Sequence, residues 1–329
     1  MIDTDFLFLT SMLRAREAKM LSGEKIERML DASGFDGAAK LLMDCGYPDM
    51  SGMDASQLES VLDSRRESVF YELSLYENAR GLVDIFRIKY DYHNVKVLVK
   101  SMGTRADVSD MLSGSGRARA PDIEYAFVSG DRHGLPHALK AAIREAVAVL
   151  AKTRSPQLSD IAVDAAYFSE LLELARGVGD GFVLGYARLL IDCANLRTFT
   201  RTRRSKRGCD FLKSALFPDG NADIEKIICL APSGINAAEV FAERALAPAV
   251  SRCQAVISGG AYWNFELDCD NATQRYISQA PPSGFGIAAV LLYLAAVERE
   301  ITAVRQLLTG RLLGISTAII KERLRDCHV

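Results

Sequence analysis

The sequence predicts an all-α protein assembled from three similar helical units. Three observations carry that prediction. Apolar residues recur at helical spacing over long stretches without proline, among them 56–101 and 157–204. No segment alternates apolar and polar residues with the period of two that a strand needs, and no Asn-Gly pair sits between apolar runs as in a hairpin. The phrase "DYHNVKVLVK" at 91–100 returns as "DCANLRTFTR" at 192–201, an offset of 101 residues that keeps Asp, Asn and two basic residues in register.

In chain order, helices are expected over 4–20, 24–33 and 35–45. The stretch 56–101 has one glycine, Gly81, and reads as two helices meeting near it, because one uncapped helix of that length is unusual in a globular chain. "SGSGRARAPD" at 113–122 reads as a connection, followed by a helix over 134–152. The stretch 157–204 has glycines at Gly177, Gly179, Gly181 and Gly185 and again reads as two helices. Helices over 235–258, 286–309 and 314–326 complete the chain, with a connection "QAPPSGFG" at 279–286.

A helical wheel gives the repeated phrase a physical plan. Arg87, Asp91, Asn94 and Leu98 share one narrow stripe, flanked by apolar shoulders, with Lys89, Lys96 and Lys100 opposite. In the second copy Arg188, Asp192, Asn195 and Phe199 make the stripe, and Arg197, Arg201 and Arg204 lie opposite. Each helix is thus expected to bury a polar stripe and to show a basic ridge outward. A fainter third copy lies in 291–306 at offset 206, where Glu300 takes the place of Asn94 and Val297 that of Asp91. Arg87 with Asp91, and Arg188 with Asp192, are expected to form ion pairs four residues apart, since an unpaired buried charge is costly. Asn94 and Asn195 are expected to bond neighbouring helix ends or loops.

Composition narrows the function. The 329 residues are 49% hydrophobic and 25% charged, as in ordinary folded proteins, and the net charge of −2 draws the whole chain to neither nucleic acid nor anionic lipid. Seven cysteines with no CxxC pair read as scattered reduced thiols, not a disulfide framework or zinc site. The N-terminus lacks the basic start of a signal peptide, and the apolar run 285–297 is 13 residues where a spanning helix needs about 20. That run is read as a buried core helix. His133 and His137 are four apart but separated by Gly134 and Pro136, which breaks the helix that shared metal ligation requires. "DCDN" at 268–271 lacks calcium-loop spacing and is read as a polar loop, and no phosphate-cradling GxxxxGK[ST] occurs. No catalytic, cofactor or metal residues are therefore expected.

One local charge feature stands out. Arg197, Arg201, Arg203, Arg204, Lys206 and Arg207 form a basic run over 197–207. It is either a solvated helix end, a dock for an acidic protein surface, or a nucleic-acid patch; the last is disfavoured because Phe199 is the one aromatic in it. With Lys96 and Lys100 these residues are the candidate partner contacts.

Three passages carry a likeness to a known family. "SMLRAREAKMLSGEKIERMLDASGFDGAAKLL" at 11–42 looks like its opening helices, and "YDYHNVKVLVK" and "IDCANLRTFTR" look like its repeated Asp-x-x-Asn signature. At 285–324, Tyr293, Glu298, Glu300, Ile301, Arg305, Gly310 and Gly314 fall on its closing motif. From about residue 8 to its end, matching least well over 205–280, the chain resembles the C-type stalk component of bacterial and archaeal V-type (A/V-type) ATPases, whose counterpart in the eukaryotic vacuolar enzyme is the d component. The resemblance implies a funnel of three similar helical units about a pseudo-threefold axis, here 1–112, 113–212 and 213–329. It also implies a non-catalytic central-stalk adaptor that seats rotor stalk subunits of the ATPase head on the membrane proteolipid ring. Such a chain is cytoplasmic and touches the membrane sector peripherally. It takes no cofactor, small-molecule substrate or nucleic acid. A helical-repeat scaffold binding peptide or RNA is the alternative.

Overall fold

The computed structural model describes residues 6–102, 107–130, 132–233, 237–280 and 286–324, and of 229–233 the backbone alone. Every regular element among the described residues is helical. The N-terminal third holds α1 (Leu7–Glu17), α2 (Gly23–Asp31), α3 (Gly34–Leu41), α4 (Ala55–Ser74) and α5 (Glu77–Ser101). The middle holds α6 (Ala120–Ser129), α7 (His137–Thr153), α8 (Pro156–Val178) and α9 (Gly181–Arg204). The remainder holds α10 (Cys209–Ala215), α11 (Ile224–Ser233), α12 (Ala247–Ile257), α13 (Tyr262–Ile277), α14 (Ile287–Leu312) and α15 (Thr317–Arg323).

Local chemistry sets many of the ends. Ser22 caps α2 by accepting from Lys25 N–H, and Asp54 and Gln57 form a reciprocal capping box on α4. Ser155 caps α8 just before Pro156, and Asp180 caps α9 by accepting from the N–H groups of Phe182 and Val183. No helix among the described residues is long and apolar enough to cross a membrane. The apolar start of α14 is instead core: Val290, Leu291, Leu294 and Val297 are all 0% exposed.

Three long helices organise the packing. α5 lies along α8, which lies along α7; α9 packs on α12 and α13; α14 packs on α1, α3, α4 and α5. Two buried apolar clusters result. One gathers the faces of α1–α9 with α14, and the other sets Leu189, Cys193, Leu196 and Phe199 of α9 against α12 and α13. α5 and α9 therefore pack on elements that follow them, whereas α14, near the chain's end, packs on the first helices.

Several elements differ from expectation. The joint in 56–101 falls at Leu75 and Tyr76, and Gly81 lies inside α5. A Cβ there would sit 3.2 Å from Val178 Cγ2, so the glycine serves the approach of α8's end and not a break. "DCDN" is helical, inside α13, because Cys269 and Asn271 turn inward while Asp268 and Asp270 meet arginines. The single helix expected over 235–258 is instead two short 3₁₀ turns, Ala237–Glu239 and Arg244–Leu246, ahead of α12, with Pro248 in its first turn. Residues 4–5, 235–236 and 325–326, within expected helices, lie outside the described residues.

Candidate functional site

The repeated stripe is a pair of loop clamps. Asp91 is 0% exposed and accepts from Ala118 N–H at 3.0 Å and from Arg117 Nε at 3.3 Å. One turn on, Asn94 Nδ2 donates to Ser113 O at 2.9 Å while its Oδ1 accepts from Ser113 N–H at 2.8 Å. In α9 the same positions repeat the work. Asp192 accepts from Ala222 N–H and Asn221 N–H, both at 3.0 Å, and Asn195 exchanges two hydrogen bonds with the Phe217 backbone, both at 2.8 Å. Glycine lets each loop come close: a Cβ on Gly116 would lie 2.2 Å from Asp91 Oδ1, and one on Gly220 would lie 2.3 Å from Asp192 Oδ1.

The expected pairs four residues apart do not form. Arg87 donates through Nε to Gly116 O at 3.0 Å, gripping the same loop that Asp91 holds, and Asp91 takes Arg117 as its ion-pair partner. Asp192 is satisfied by backbone N–H groups, and Arg188 Nε is buried without a hydrogen-bond partner. The physical reason is local. A buried carboxylate meets several fixed donors on an incoming loop, so the flexible arginine on its own helix is not needed. Burial pushes the Asp91 carboxyl up to about 6, against the pull of Ala118 N–H and Arg117, and it raises Asp192 as well.

Glu300 holds a third incoming segment, from the other end of the chain. Its Oε2 accepts from Leu21 N–H at 2.8 Å and its Oε1 from the Tyr47 hydroxyl at 2.9 Å, with Arg65 at 3.8 Å. Burial raises this carboxyl too. Ala118, Ala222 and Leu21 each stand two residues before a helix, α6, α11 and α2. Arg311 strengthens this seam through the carbonyls of Met29, Leu30 and Ala32 at the end of α2. Arg305 adds an ion pair to Glu59 at 2.7 Å.

The three long helices share a cavity of about 320 Å³. Lys89, Leu190 and Ala295, at offsets of 101 and 206 residues, all line it, as do Ile85 and Tyr186. Glu298 sits at its wall, bonded by the Tyr90 hydroxyl at 2.9 Å and paired with Lys89 at 3.0 Å and Arg66 at 3.3 Å. Burial pushes that carboxyl up, but the two cations outweigh it and hold it below its ordinary range.

The lysine ridge expected to face outward instead meets neighbouring helices. Lys89 pairs with Glu298 of α14, Lys96 with Asp164 and Lys100 with Asp160 of α8. The basic run divides in the same way. Arg197 is absorbed by Glu266 and Asp270 of α13, each at 2.6 Å. Arg201 reaches Glu266 at 3.4 Å yet keeps a side chain 67% exposed. The guanidiniums of Arg201 and Arg204 lie 5.9 and 5.7 Å from the Tyr262 ring centre, and that of Arg207 lies 4.4 Å from that of Phe211. Arg203 is half-buried with partners of its own, and Lys206 is exposed with φ 53°. Aromatic shelves therefore hold Arg201, Arg204 and Arg207 in an outward array, which sequence reasoning did not foresee because Tyr262 is 58 residues from Arg204. Among the described residues no cluster of three metal-ligating side chains occurs.

The family model for the ATP synthase (C/AC39) subunit matches residues 9–323. The chain belongs to that family. It is similar to the C-type component of the V-type sodium ATPase of Enterococcus hirae, 22% identical over 325 residues that take in 97% of this chain and 98% of that protein. It is also similar to the corresponding component of the V-type ATP synthase of Thermus thermophilus, 24% identical over 65% of this chain and 69% of that one. Its counterpart in the A-type ATP synthase of Thermococcus kodakarensis is 23% identical over 68% of this chain and 64% of its own length. The clamps and the closing α14 of this C/AC39 member all lie within the matched span.

Proposed function

We propose that this chain is a non-catalytic central-stalk adaptor of a V-type (A/V-type) ATPase or ATP synthase. It seats the rotor stalk subunits of the soluble head on the membrane proteolipid ring, so that rotation is coupled to H⁺ or Na⁺ transport. The observation that carries this reading is the family match over nearly the whole chain. ATP chemistry belongs to the head, and this chain works at the cytoplasmic face without a nucleotide site of its own.

In this reading the segments 1–112, 113–212 and 213–329 are three units about a pseudo-threefold axis in a funnel. The convergence of Lys89, Leu190 and Ala295 on one cavity supports it, as does the recurrence of the acid clamp at the same offset. A part that passes torque must not twist. Buried clamps fix each connection to its long helix, and the Glu300 clamp ties the last long helix to the first segment of the chain. Lasting rotor contacts of this kind bury roughly 2,000 Å² or more. The outward arginine array offers charge that orients docking on an acidic surface.

The test is reconstitution with Arg201, Arg203 and Arg204 changed to Glu. Co-sedimentation with stalk and ring at low salt is expected to drop. Unchanged assembly removes the basic run from the interface.

A further inference from the structure

We propose that the cleft between α8, α9 and α10 binds a small organic anion, an aromatic or short acyl-chain carboxylate. The cleft has a volume of about 550 Å³, inside the range of about 300–1,000 Å³ typical of small-molecule sites. Such a site needs no partner chain, so the inference goes beyond the rotary reading and does not rest on it.

The floor is apolar and anchored. Phe168 of α8 and Phe217, just beyond α10, line it with their ring centres 4.8 Å apart. Asn195 holds the Phe217 backbone through the second loop clamp, two hydrogen bonds of 2.8 Å, so the same device that fixes the loop also sets this wall. Ile161, Ala194 and Phe211 line the cleft as well and are only half-buried. Packed interiors leave few voids wider than a water molecule. Here three helices leave one many times that size, and an apolar ligand body that covers its walls gains the free energy of removing them from water.

The mouth is basic, and its main donor is held in position. The Arg207 guanidinium lies 4.4 Å from the Phe211 ring centre and donates to Gln157 Oε1 at 2.9 Å, which braces it between α10 and α8. A guanidinium carries five N–H donors in a planar fork that matches a carboxylate, so Arg207 keeps donors for a ligand. Arg201 also lines the cleft, 67% exposed, with one nitrogen 3.4 Å from Glu266. Two aspartates share the wall but do not set its sign. Asp160 pairs with Lys100 at 2.8 Å and Asp164 pairs with Lys96. Arg197, in the same wall, is matched by Glu266 and Asp270. Across the whole set, the cations Lys96, Lys100, Arg197, Arg201 and Arg207 outnumber the carboxylates Asp160, Asp164, Glu266 and Asp270 by one. An apolar body on the rings with its carboxylate on Arg207 satisfies both halves of the cleft.

The experiment uses the full chain alone, so its outcome does not depend on the rotary reading. Naphthalene-2-carboxylate and octanoate are titrated by calorimetry at low salt into the parent, Arg207→Gln and Ala194→Phe, the last of which fills the floor with a ring. The uncharged amides of the same acids form a second series. Saturable one-to-one binding of at least one acid is expected in the parent, about tenfold or more tighter than its amide and weakened about tenfold or more by either substitution. Arg28→Gln, exposed on α2, removes the same charge elsewhere and is expected to bind as the parent does. If Ala194→Phe fails to fold, Arg207→Gln, at an exposed position, carries the comparison. Tighter binding of naphthalene-2-carboxylate assigns an aromatic body to the ligand, and tighter binding of octanoate an acyl chain. Absence of binding by both acids, equal binding of acid and amide, or equal binding by parent and Arg207→Gln overturns the site.

Discussion

At the scale of single residues, buried carboxylates hold loops by their backbone. Burial sets the Asp91 carboxyl at about 6 when its ordinary value is 3.8, so the folded state keeps a proton over an interval where the unfolded chain has lost it. The contribution of Asp91 is therefore most favourable below that lower value and declines as pH rises through the upper one. Asp91→Asn does not titrate. Urea unfolding across this window is expected to show a shallower decline in the variant than in the parent, and parallel slopes count against the assignment. Gly116 and Gly220 test the clamps from the loop side. Alanine at either position brings a Cβ to 2.2 or 2.3 Å from a carboxylate oxygen, and each is expected to destabilise by about 1–3 kcal/mol. A difference between the two sites much larger than that range contradicts their equivalence. The inward stripe was legible in the sequence because Asp91 and Asn94, like Asp192 and Asn195, sit on one helical face between apolar shoulders. Their partners were not, since Ala118 and Ala222 lie 27 and 30 residues further on, brought in by chain folding and not by spacing.

At the scale of elements, long helices with apolar faces declared themselves, as did the short α2, α3 and α15, while α6, α10, α11 and α13 did not. α14 reads directly from its apolar start and its Glu-rich middle. α6, α10 and α11, of 10, 7 and 10 residues, lie in the stretches 113–133 and 205–234, where no helix was expected. α13 was hidden by its acidic pair, whose helical spacing makes sense only once Arg197 and Arg252 are seen beside it. The element-scale prediction concerns the seam between the chain's ends. Glu300→Ala strips the buried Leu21 N–H and Tyr47 hydroxyl of their shared acceptor, and a loss of about 3 kcal/mol is expected by chemical denaturation. Hydrogen exchange is expected to quicken first in α2 and α3, while α10 and α11 keep their protection. Uniform loss of protection would show that the seam is not a separate fastening.

At the scale of the whole molecule, the repeat at 101 and 206 residues was visible before any coordinates, and it recurs as three helices lining one cavity. What the repeat did not disclose is that the last long helix docks on the first helices of the chain. That closure joins α14 to α1, α3 and α4, and it suits a part that must carry load between two others without unwinding. Membership of the C/AC39 family is the ground on which the proposed role, a coupling between rotor stalk and membrane ring, rests. The most direct measurement reconstitutes the complete complex in vesicles with and without this chain, following ATP hydrolysis and ion uptake together. Without it, hydrolysis by the head is expected to continue while ion uptake falls to background, and adding the chain back restores uptake. Ion uptake at the full coupled rate in its absence would contradict the account.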